Sequence, residues 1–360
     1  MAKYTLIFET LQRDILDGKY THGRRLPSEA ELARRHQVSR PTAARALREL
    51  QQMGLIVRRA GVGNFLRQES QTDRNAAGKK FGLLVPGLGN TEILDPICNE
   101  IIRYTQSLNS EVLWGDANNP IDTAANAEDL CKQYIDRGVS GVFFAPVEHI
   151  DNRESCNRAI AERFDAAGIA VVLLDRDLLE YPGRSGLDLV GIDNIGAGIE
   201  LTSHLLEAGS RRICFLGRPH YPSTTELRRM GCEEALRRAG VKINYPMDHY
   251  GNPEEKEFVS GVLKRARPDA IVCANDQIAA VLMQTLRAMG VHVSEDLRIG
   301  GIDDVRYATL LTVPLTTMRQ PCRDLGRISV KTLLERIEDK DLPARQILLK
   351  AELVTRASSV

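Results

Sequence analysis

Apolar side chains in the first fifty residues recur at the three-to-four-residue spacing of amphipathic helices. The spacing predicts three helices, over about residues 5–17, 28–36 and 39–53. Ser28 and Glu31 have the pattern of a capping box, in which each side chain satisfies a backbone N–H of the first turn. Ser39 caps the third helix, and Pro41 is tolerated there because the first turn has no intrahelical N–H bond to lose. About three residues join the last two helices, as in a helix-turn-helix unit.

The third predicted helix has two distinct faces. Ala43, Leu47 and Leu50 share the apolar face, while Arg45 lies on the opposite, polar face. Arg40 stands near the start of the helix, so both arginines can reach guanine edges or phosphates in a DNA major groove. A charged outer face is also typical of amphipathic helices with no nucleic-acid partner, so this pattern alone leaves both interpretations open.

A short hairpin is predicted directly after the third helix. The apolar runs over residues 55–59 and 64–66 indicate two strands, with Arg58 and Arg59 at the base. Gly61 and Gly63 lie in the connection, where glycine can adopt the positive φ of a tight tip. The hairpin has the form of a wing.

Charge is distributed unevenly along a chain whose formal net charge is zero. Residues 1–67 contain 13 Lys or Arg against 6 Asp or Glu, and the remainder contains 35 against 42. A basic front region is expected of a protein that binds the phosphate backbone of DNA. A solvated basic surface remains the alternative.

The rest of the chain alternates short apolar runs with helical segments after a polar linker at residues 68–79. The runs are FGLLVP, EVLW, GVFFAP, AVVLLD, DLVGI, RICFLG, AIVCAN and RIGGI. This alternation predicts an α/β domain over residues 80–360, with parallel sheets covered by helices on both faces. The only tryptophan, Trp114, falls in one of these strands and is expected in the core.

Polar residues that follow the strands are the first candidates for ligand binding, because parallel sheets bind ligands beyond the carboxyl ends of their strands. They are Asn90, Asp175, Arg176, Asn275, Asp276 and Asp303. Carboxylate, amide and guanidinium groups can each bind two neighbouring hydroxyls of a polyol. Helix capping is the other interpretation of any one of them, and it explains Asp276 well.

Several classes of protein are disfavoured by the sequence. The seven cysteines are dispersed without a CxxC pair, which argues against a disulfide framework or a zinc site. We expect a cytoplasmic protein with no membrane segment, because no apolar stretch approaches the length of a span or a signal core. Catalysis is disfavoured because the pair Asp303 and Asp304 points in opposite directions in a strand, and no nucleophile or phosphate-loop motif is present. No catalytic residue, metal or cofactor is therefore predicted.

The segment LPSEAELARRHQVSRPTAARALRELQQMGLIVRRAGVGNFL resembles the winged helix-turn-helix of GntR-family transcription regulators, with LPSE, VSRPT and the glycine-tipped wing in family order. Ala44 stands where that family usually has arginine, and Arg45 is its substitute. The resemblance, together with the helix and wing patterns, implies a DNA-binding set. The set is Lys3, Tyr4, Ser39, Arg40, Pro41, Thr42, Arg45, Arg58, Arg59, Gly61 and Gly63.

Residues 80–356 resemble the effector domain of LacI-family repressors and periplasmic sugar-binding proteins. The segments that carry the resemblance are VVLLDRD, VGIDNIGAGIELTSHLLEAGSRRICFLGRP, TTELRRMGCEEAL, AIVCANDQIAA and GGIDDVRYATLLTVPLTTMRQP. It implies a homodimer of two-lobed domains, with the chain crossing between lobes near residues 193, 320 and 342. The implied effector-binding set is Asn90, Asp175, Arg176, Arg228, Asn275, Asp303 and Gln320.

These features together predict a ligand-responsive transcriptional regulator, namely a repressor that a mono- or disaccharide releases from operator DNA. Co-repression, or activation by a non-sugar effector, remains open because linkage requires only a difference in affinity between two states. A sugar receptor without a regulatory role is a further alternative, which sequence-specific DNA binding would exclude.

Overall fold

The chain divides into two compact units, Met1–Ala77 and Gly78–Val360, which we call the head unit and the receptor unit. The computed structural model describes residues 3–16, 19–20, 25–52, 56–59, 63–66, 78–87, 92–115, 124–148, 153–219 and 222–360. Within these ranges, no helix is long and apolar enough to cross a membrane.

The head unit is a three-helix arrangement followed by a hairpin. Its elements are α1 (Lys3–Leu16), α2 (Glu29–Arg35), α3 (Arg40–Gln52), β1 (Ile56–Arg59) and β2 (Gly63–Leu66). The three helices and the hairpin predicted from the sequence are confirmed, with α1 beginning two residues earlier than expected. The capping box at Ser28 and Glu31 is formed on both sides. The apolar faces of the helices meet in one core that includes Ile7, Leu11 and Leu50.

The hairpin of the head unit is tied to the segment that precedes α2. The backbone N–H of Leu26 donates to the carbonyl oxygen of Asn64 at 2.8 Å, and Arg25 forms a β-bridge with Phe65. Gly63 has φ +134°, and a Cβ at this position would lie 2.8 Å from Nε of Arg25. The base of the wing therefore requires glycine at position 63.

The receptor unit contains two sheets, each the centre of a lobe. In the first lobe, described strands run in the order β13-β7-β6-β5-β3-β4, with every pair parallel. These strands are β3 (Lys80–Leu84), β4 (Glu111–Trp114), β5 (Gly141–Phe144), β6 (Ala170–Leu174), β7 (Asp188–Ile192) and β13 (Gln346–Leu349). The helices around this sheet are α4 (Leu94–Ser107), α5 (Ala124–Asp136), α6 (Arg153–Ala166) and α11 (Cys322–Glu338).

The second lobe has the same plan. Its strands run in the order β14-β12-β11-β10-β8-β9, and only the pair β12–β14 is antiparallel among those described. They are β8 (Ile213–Gly217), β9 (Asp248–Tyr250), β10 (Ala270–Cys273), β11 (Arg298–Asp303), β12 (Thr316–Arg319) and β14 (Glu352–Val354). The helices are α7 (Asn194–Glu207), α8 (Ser223–Arg238), α9 (Lys256–Ala266) and α10 (Asp276–Ala288), with 3₁₀ turns at Arg306–Thr309 and Ala357–Ser359. The predicted α/β fold with parallel sheets is confirmed.

The chain passes between the lobes three times. The first passage follows β7 at Asp193, and the second follows β12 at Gln320. The third was expected near Leu342, and this was wrong, because the chain first adds β13 to the open edge of β7 and crosses only at residues 350–351.

The expectation that Trp114 lies in the core was also wrong. Trp114 is 53% exposed because β4 is the edge strand of the first sheet. A strand pattern does not distinguish an edge position from a central one.

Candidate functional site

A buried arginine occupies the centre of the candidate site between the two lobes. Arg228, on α8, is only 6% exposed. Its Nε donates to Oδ1 of Asn194 at 2.8 Å, and one terminal nitrogen donates to the carbonyl oxygen of Ala274 at 2.7 Å. The other terminal nitrogen lies 3.6 Å from Oδ1 of Asp303. The guanidinium is thus held in one orientation by three different elements of the second lobe.

Close packing of α7 against α8 places this arginine. A Cβ at Gly198 would lie 2.2 Å from the carbonyl oxygen of Arg228, and a Cβ at Gly231 would lie 2.2 Å from that of Ile195. The two helices therefore touch backbone to backbone next to the site. Only glycine at both positions permits this approach.

Asp303 and Gln320 complete the group that we call the arginine cluster, defined as Arg228, Asn194, Asp303 and Gln320. The Gln320 amide Nε2 donates to Oδ1 of Asp303 at 2.8 Å, and both residues are buried. Asp303 ends β11 with φ 134°, a backbone conformation that non-glycine residues rarely adopt. Oε1 of Gln320 is buried and accepts no hydrogen bond from the described residues. The cluster therefore offers acceptor atoms to a ligand that donates hydrogen bonds.

The carboxyl of Asp303 has an altered acidity. Burial raises its pKa to about 8, against the opposing effect of Arg228, and the nearby Asp276 carboxylate raises it further. Asp175 of the first lobe acts in the same direction, which brings its charge within range of Asp303 across the cleft.

Asp276 is a buried acid that the sequence interpretation assigned to the wrong role. Helix capping was expected of it, but the cap of α10 is Asn275, whose Oδ1 accepts from the N–H of Ile278 at 2.9 Å. Asp276 instead accepts from the hydroxyl of Thr317 at 2.6 Å and from the N–H of Val305 at 3.0 Å. Burial raises its pKa to about 6. It holds the loop after β11 beside the arginine cluster.

Asp175 and Arg176 come from the first lobe, directly after β6. Arg176 pairs with Asp175 at 2.9 Å and with Glu148 at 2.8 Å, and it donates to the carbonyl oxygen of Pro146 at 2.8 Å. Each of these contacts of Arg176 is made within the first lobe, whereas the Asp175 charge reaches Asp303. The structure therefore brings together Asp175, Arg228, Asp303 and Gln320 more closely than it does Arg176.

Two groups at the site were not predicted as effector residues. Tyr307, after β11, forms a hydrogen bond with Glu92 of the first lobe, and burial together with this carboxylate raises its pKa well above the ordinary range. Cys322 begins α11, and burial raises its thiol pKa to about 12, with Asp303 adding to the shift. Neither stands next to a strand that the apolar pattern predicted. The predicted residue Asn90 lies outside the described residues.

The balance of charge around the arginine cluster is negative. Two arginines, Arg176 and Arg228, face a larger group of carboxyl side chains. That group consists of Glu92, Glu148, Asp175, Asp276 and Asp303. A phosphate or carboxylate ligand would be repelled, while a neutral ligand with many hydroxyls can donate to these acceptors.

The candidate DNA-binding residues of the head unit lie at the start of α3. Oγ of Ser39 and Oγ1 of Thr42 are 2.8 Å apart, which closes the first turn, and Arg40 and Pro41 are exposed beside them. The guanidinium carbon of Arg45 lies 4.0 Å from the centre of the Tyr4 ring. Gly61 and the side chains of Lys3, Arg58 and Arg59 lie outside the described residues.

Family models match both units. Residues 3–66 match the bacterial regulatory proteins of the gntR family, and residues 202–359 match the periplasmic binding protein-like domain.

Curated relatives extend over the whole chain. The arabinose metabolism transcriptional repressor of Geobacillus stearothermophilus is 26% identical over 372 residues, covering 100% of this chain and 98% of that protein. The HTH-type transcriptional repressor PurR of Photobacterium profundum is 33% identical over 221 residues, covering 56% of this chain and 66% of that protein.

Solved structures share the fold of the receptor unit. The complex of the transcriptional regulator CelR with cellobiose has a TM-score of 0.67 at 23% identity, covering 89% of this chain and 92% of that one. The transcription regulator GntR from Chromobacterium violaceum has a TM-score of 0.63 at 26% identity, covering 78% and 99%.

The two units therefore define a DNA-binding transcriptional regulator. The chain belongs to the regulators that join a GntR-family helix-turn-helix to a periplasmic binding protein-like domain of the LacI-family type. The predictions of this architecture and of a regulatory function are confirmed.

Proposed function

We propose that this regulator is a repressor whose affinity for operator DNA falls when a neutral sugar binds between the lobes of the receptor unit. The observation that carries the proposal is the arginine cluster, with its buried carboxyl and the unbonded Oε1 of Gln320. The Geobacillus relative is a repressor of arabinose metabolism, and structural neighbours contain cellobiose or ribose.

Hydroxyl groups are the chemistry that suits this cluster. A sugar hydroxyl can donate to Oε1 of Gln320 or to Asp303 and can accept from Arg228, because a hydroxyl is both donor and acceptor. Charged groups that are already held by protein partners do not reorganise when the ligand arrives, which favours tight and selective binding.

The effector-binding set that we propose remains Asn90, Asp175, Arg176, Arg228, Asn275, Asp303 and Gln320, with Asn194 added. The hydrogen bond of Tyr307 to Glu92 joins the two lobes at the same cleft. A ligand bound to both lobes stabilises one lobe arrangement over others, and this shifts the equilibrium between operator-binding and released forms.

The protein acts, in this proposal, as a cytoplasmic homodimer on paired operator half-sites. Its DNA-binding domain spans residues 1–67, followed by a linker at 68–79 and the effector domain at 80–360. It has no catalytic role, because the carboxyl groups of the cleft are bonded to Arg228, Thr317, Gln320 and backbone N–H groups and are not aligned for proton transfer.

A thermal-shift screen of the full chain against pentoses, hexoses, disaccharides, polyols and sugar phosphates tests the proposal. A ligand that binds only the folded state raises the melting temperature by mass action. We expect a neutral sugar to stabilise the protein and its phosphate ester to have no effect. Stabilisation by sugar phosphates or other anions alone would overturn the assignment.

A further inference from the structure

A groove lies beside the arginine cluster, along the hinge between the two lobes of the receptor unit. First-lobe residues form one wall, including Leu179, Tyr181 and Leu348, and α8 of the second lobe forms the other with Ser223, Thr224 and Leu227. The groove holds about 610 Å³ of empty space with its open mouth included. Small-molecule sites have volumes of this order.

The inner end of the groove shares its wall with the arginine cluster. Asp175 and Asn194 both line the groove. Oδ1 of Asn194 accepts the hydrogen bond from Nε of Arg228, so one side chain contacts both spaces. A ligand bound at the cluster can therefore extend into the groove without a change of lobe.

The walls combine apolar surface with unfilled hydrogen-bonding capacity. Tyr181 and Leu348 are each 46% exposed, which is unusual for large apolar side chains in this chain. Nε2 of Gln346 is buried, lines the groove and donates to none of the described residues. The helix α8 begins at Ser223 after Pro222, which provides no side-chain cap for the first backbone N–H groups.

This combination suits a sugar ring better than a purely apolar group. The C–H face of a pyranose packs on aliphatic and aromatic side chains, while its hydroxyls accept from donors such as Gln346 and the N–H groups at the start of α8. An aliphatic ligand would leave those donors without partners, at a cost of about 1–3 kcal/mol each.

We propose that the effector is a glycoside of at least two rings, with one ring at the arginine cluster and the next in the hinge groove. The inference rests on the proposed sugar-binding function and narrows it from sugars in general to oligosaccharides. The groove is the specificity element, because it distinguishes a disaccharide from its monosaccharide.

Calorimetric titration of the full chain with matched sugar pairs tests the inference. The probes are glucose with cellobiose and maltose, xylose with xylobiose, and arabinose with arabinobiose. We expect a Kd at least about tenfold lower for one disaccharide than for its monosaccharide, equal to about 1.4 kcal/mol.

The substitution Leu348→Trp fills the groove from its exposed edge, and Leu310→Trp is the matched control, since Leu310 is 75% exposed and does not line the groove. Leu348→Trp should remove the preference for the disaccharide and leave the Kd of the monosaccharide unchanged, while Leu310→Trp should change neither. The milder Leu348→Ala should weaken the disaccharide by about threefold through lost apolar contact.

Each outcome bears on a different proposal. Equal affinity for both members of every pair that binds, or an unchanged preference in Leu348→Trp, overturns the two-ring inference and leaves the sugar-binding function standing. The absence of binding by any of these sugars overturns the sugar assignment itself and the inference with it.

Discussion

The head unit and the receptor unit hold their functional side chains in opposite environments. In the head unit, Arg40 and Arg45 are exposed, and their positions depend on one helix of a small core. In the receptor unit, Arg228 and Asp303 are buried and held by several elements. Exposed charges bind DNA through the phosphate backbone and depend on salt, whereas buried charges are fixed before the ligand arrives.

The comparison predicts how each unit responds to substitution. Loss of an exposed arginine removes one contact and leaves the remaining side chains solvated. Loss of a buried arginine leaves its partners without compensation, so its cost is larger. The two units should therefore separate cleanly, since one set of variants changes DNA binding and the other changes effector binding.

The largest effect is expected for Arg228→Ala. Asp303 and Asn194 would lose their shared partner in a buried site, a change that typically costs about 3–5 kcal/mol. We expect the effector response to disappear in calorimetry while operator binding is retained. The milder Gln320→Ala removes an acceptor and leaves the Arg228 contacts in place, so it should weaken the effector and fold normally.

The control for this prediction is Arg229→Ala, one residue away on the same helix. Arg229 pairs with Glu226, Glu233 and Asp248 outside the arginine cluster. Unchanged effector affinity in both Arg228→Ala and Gln320→Ala would contradict the assignment of the cluster.

A smaller effect is expected for Arg40→Ala in the head unit. Loss of a base or phosphate contact should weaken operator binding by about 1–3 kcal/mol and leave the effector Kd unchanged. Gel-shift titration measures this change. Arg237→Ala, which removes an exposed positive charge from the receptor unit, is the control, and equal weakening by both variants would indicate that only net charge matters.

The pH dependence of stability distinguishes the units in another way. The pKa of Asp303 is raised from 3.8 to about 8, so between these values the folded state holds a proton that the unfolded state has released. The free energy of unfolding should therefore fall as pH rises through this window. Asp303→Asn should make the melting temperature of the receptor unit depend less on pH, and an unchanged slope would contradict burial as the cause.

The smallest effect is expected at the contact between Tyr4 and Arg45. Tyr4→Leu removes the aromatic face that holds the Arg45 guanidinium, a cation–π contact of about 0.5–1 kcal/mol at exposed sites. Operator affinity should fall by a few fold, whereas Tyr4→Phe should retain it. A double-mutant cycle with Arg45→Ala checks the pair, and strictly additive effects would show that Tyr4 acts independently.

The sequence predicted the elements that have a strong local pattern. Capping residues and the third-helix wheel located α2 and α3, and continuous apolar runs located the central strands of both sheets. It missed β9, β12, β13 and β14, because these are short or edge strands with mixed burial, and a long-range partner rather than local periodicity makes them strands.

The candidate site was predictable to a similar degree. Residues that directly follow buried strands, such as Asp175 and Asp303, could be placed at one edge of the sheets from their spacing. Asn194 and Tyr307 could not be found this way, because their roles depend on the approach of α7 to α8 and on the contact between the lobes.

Operator binding measured at increasing sugar concentration tests the central claim most directly. Fluorescence anisotropy of labelled operator DNA should show release from the wild-type chain at the sugar concentrations that saturate calorimetric binding, and no release from Arg228→Ala. A sugar that binds the wild-type chain in calorimetry and leaves its operator affinity unchanged would contradict the account, because the two units would then not be coupled.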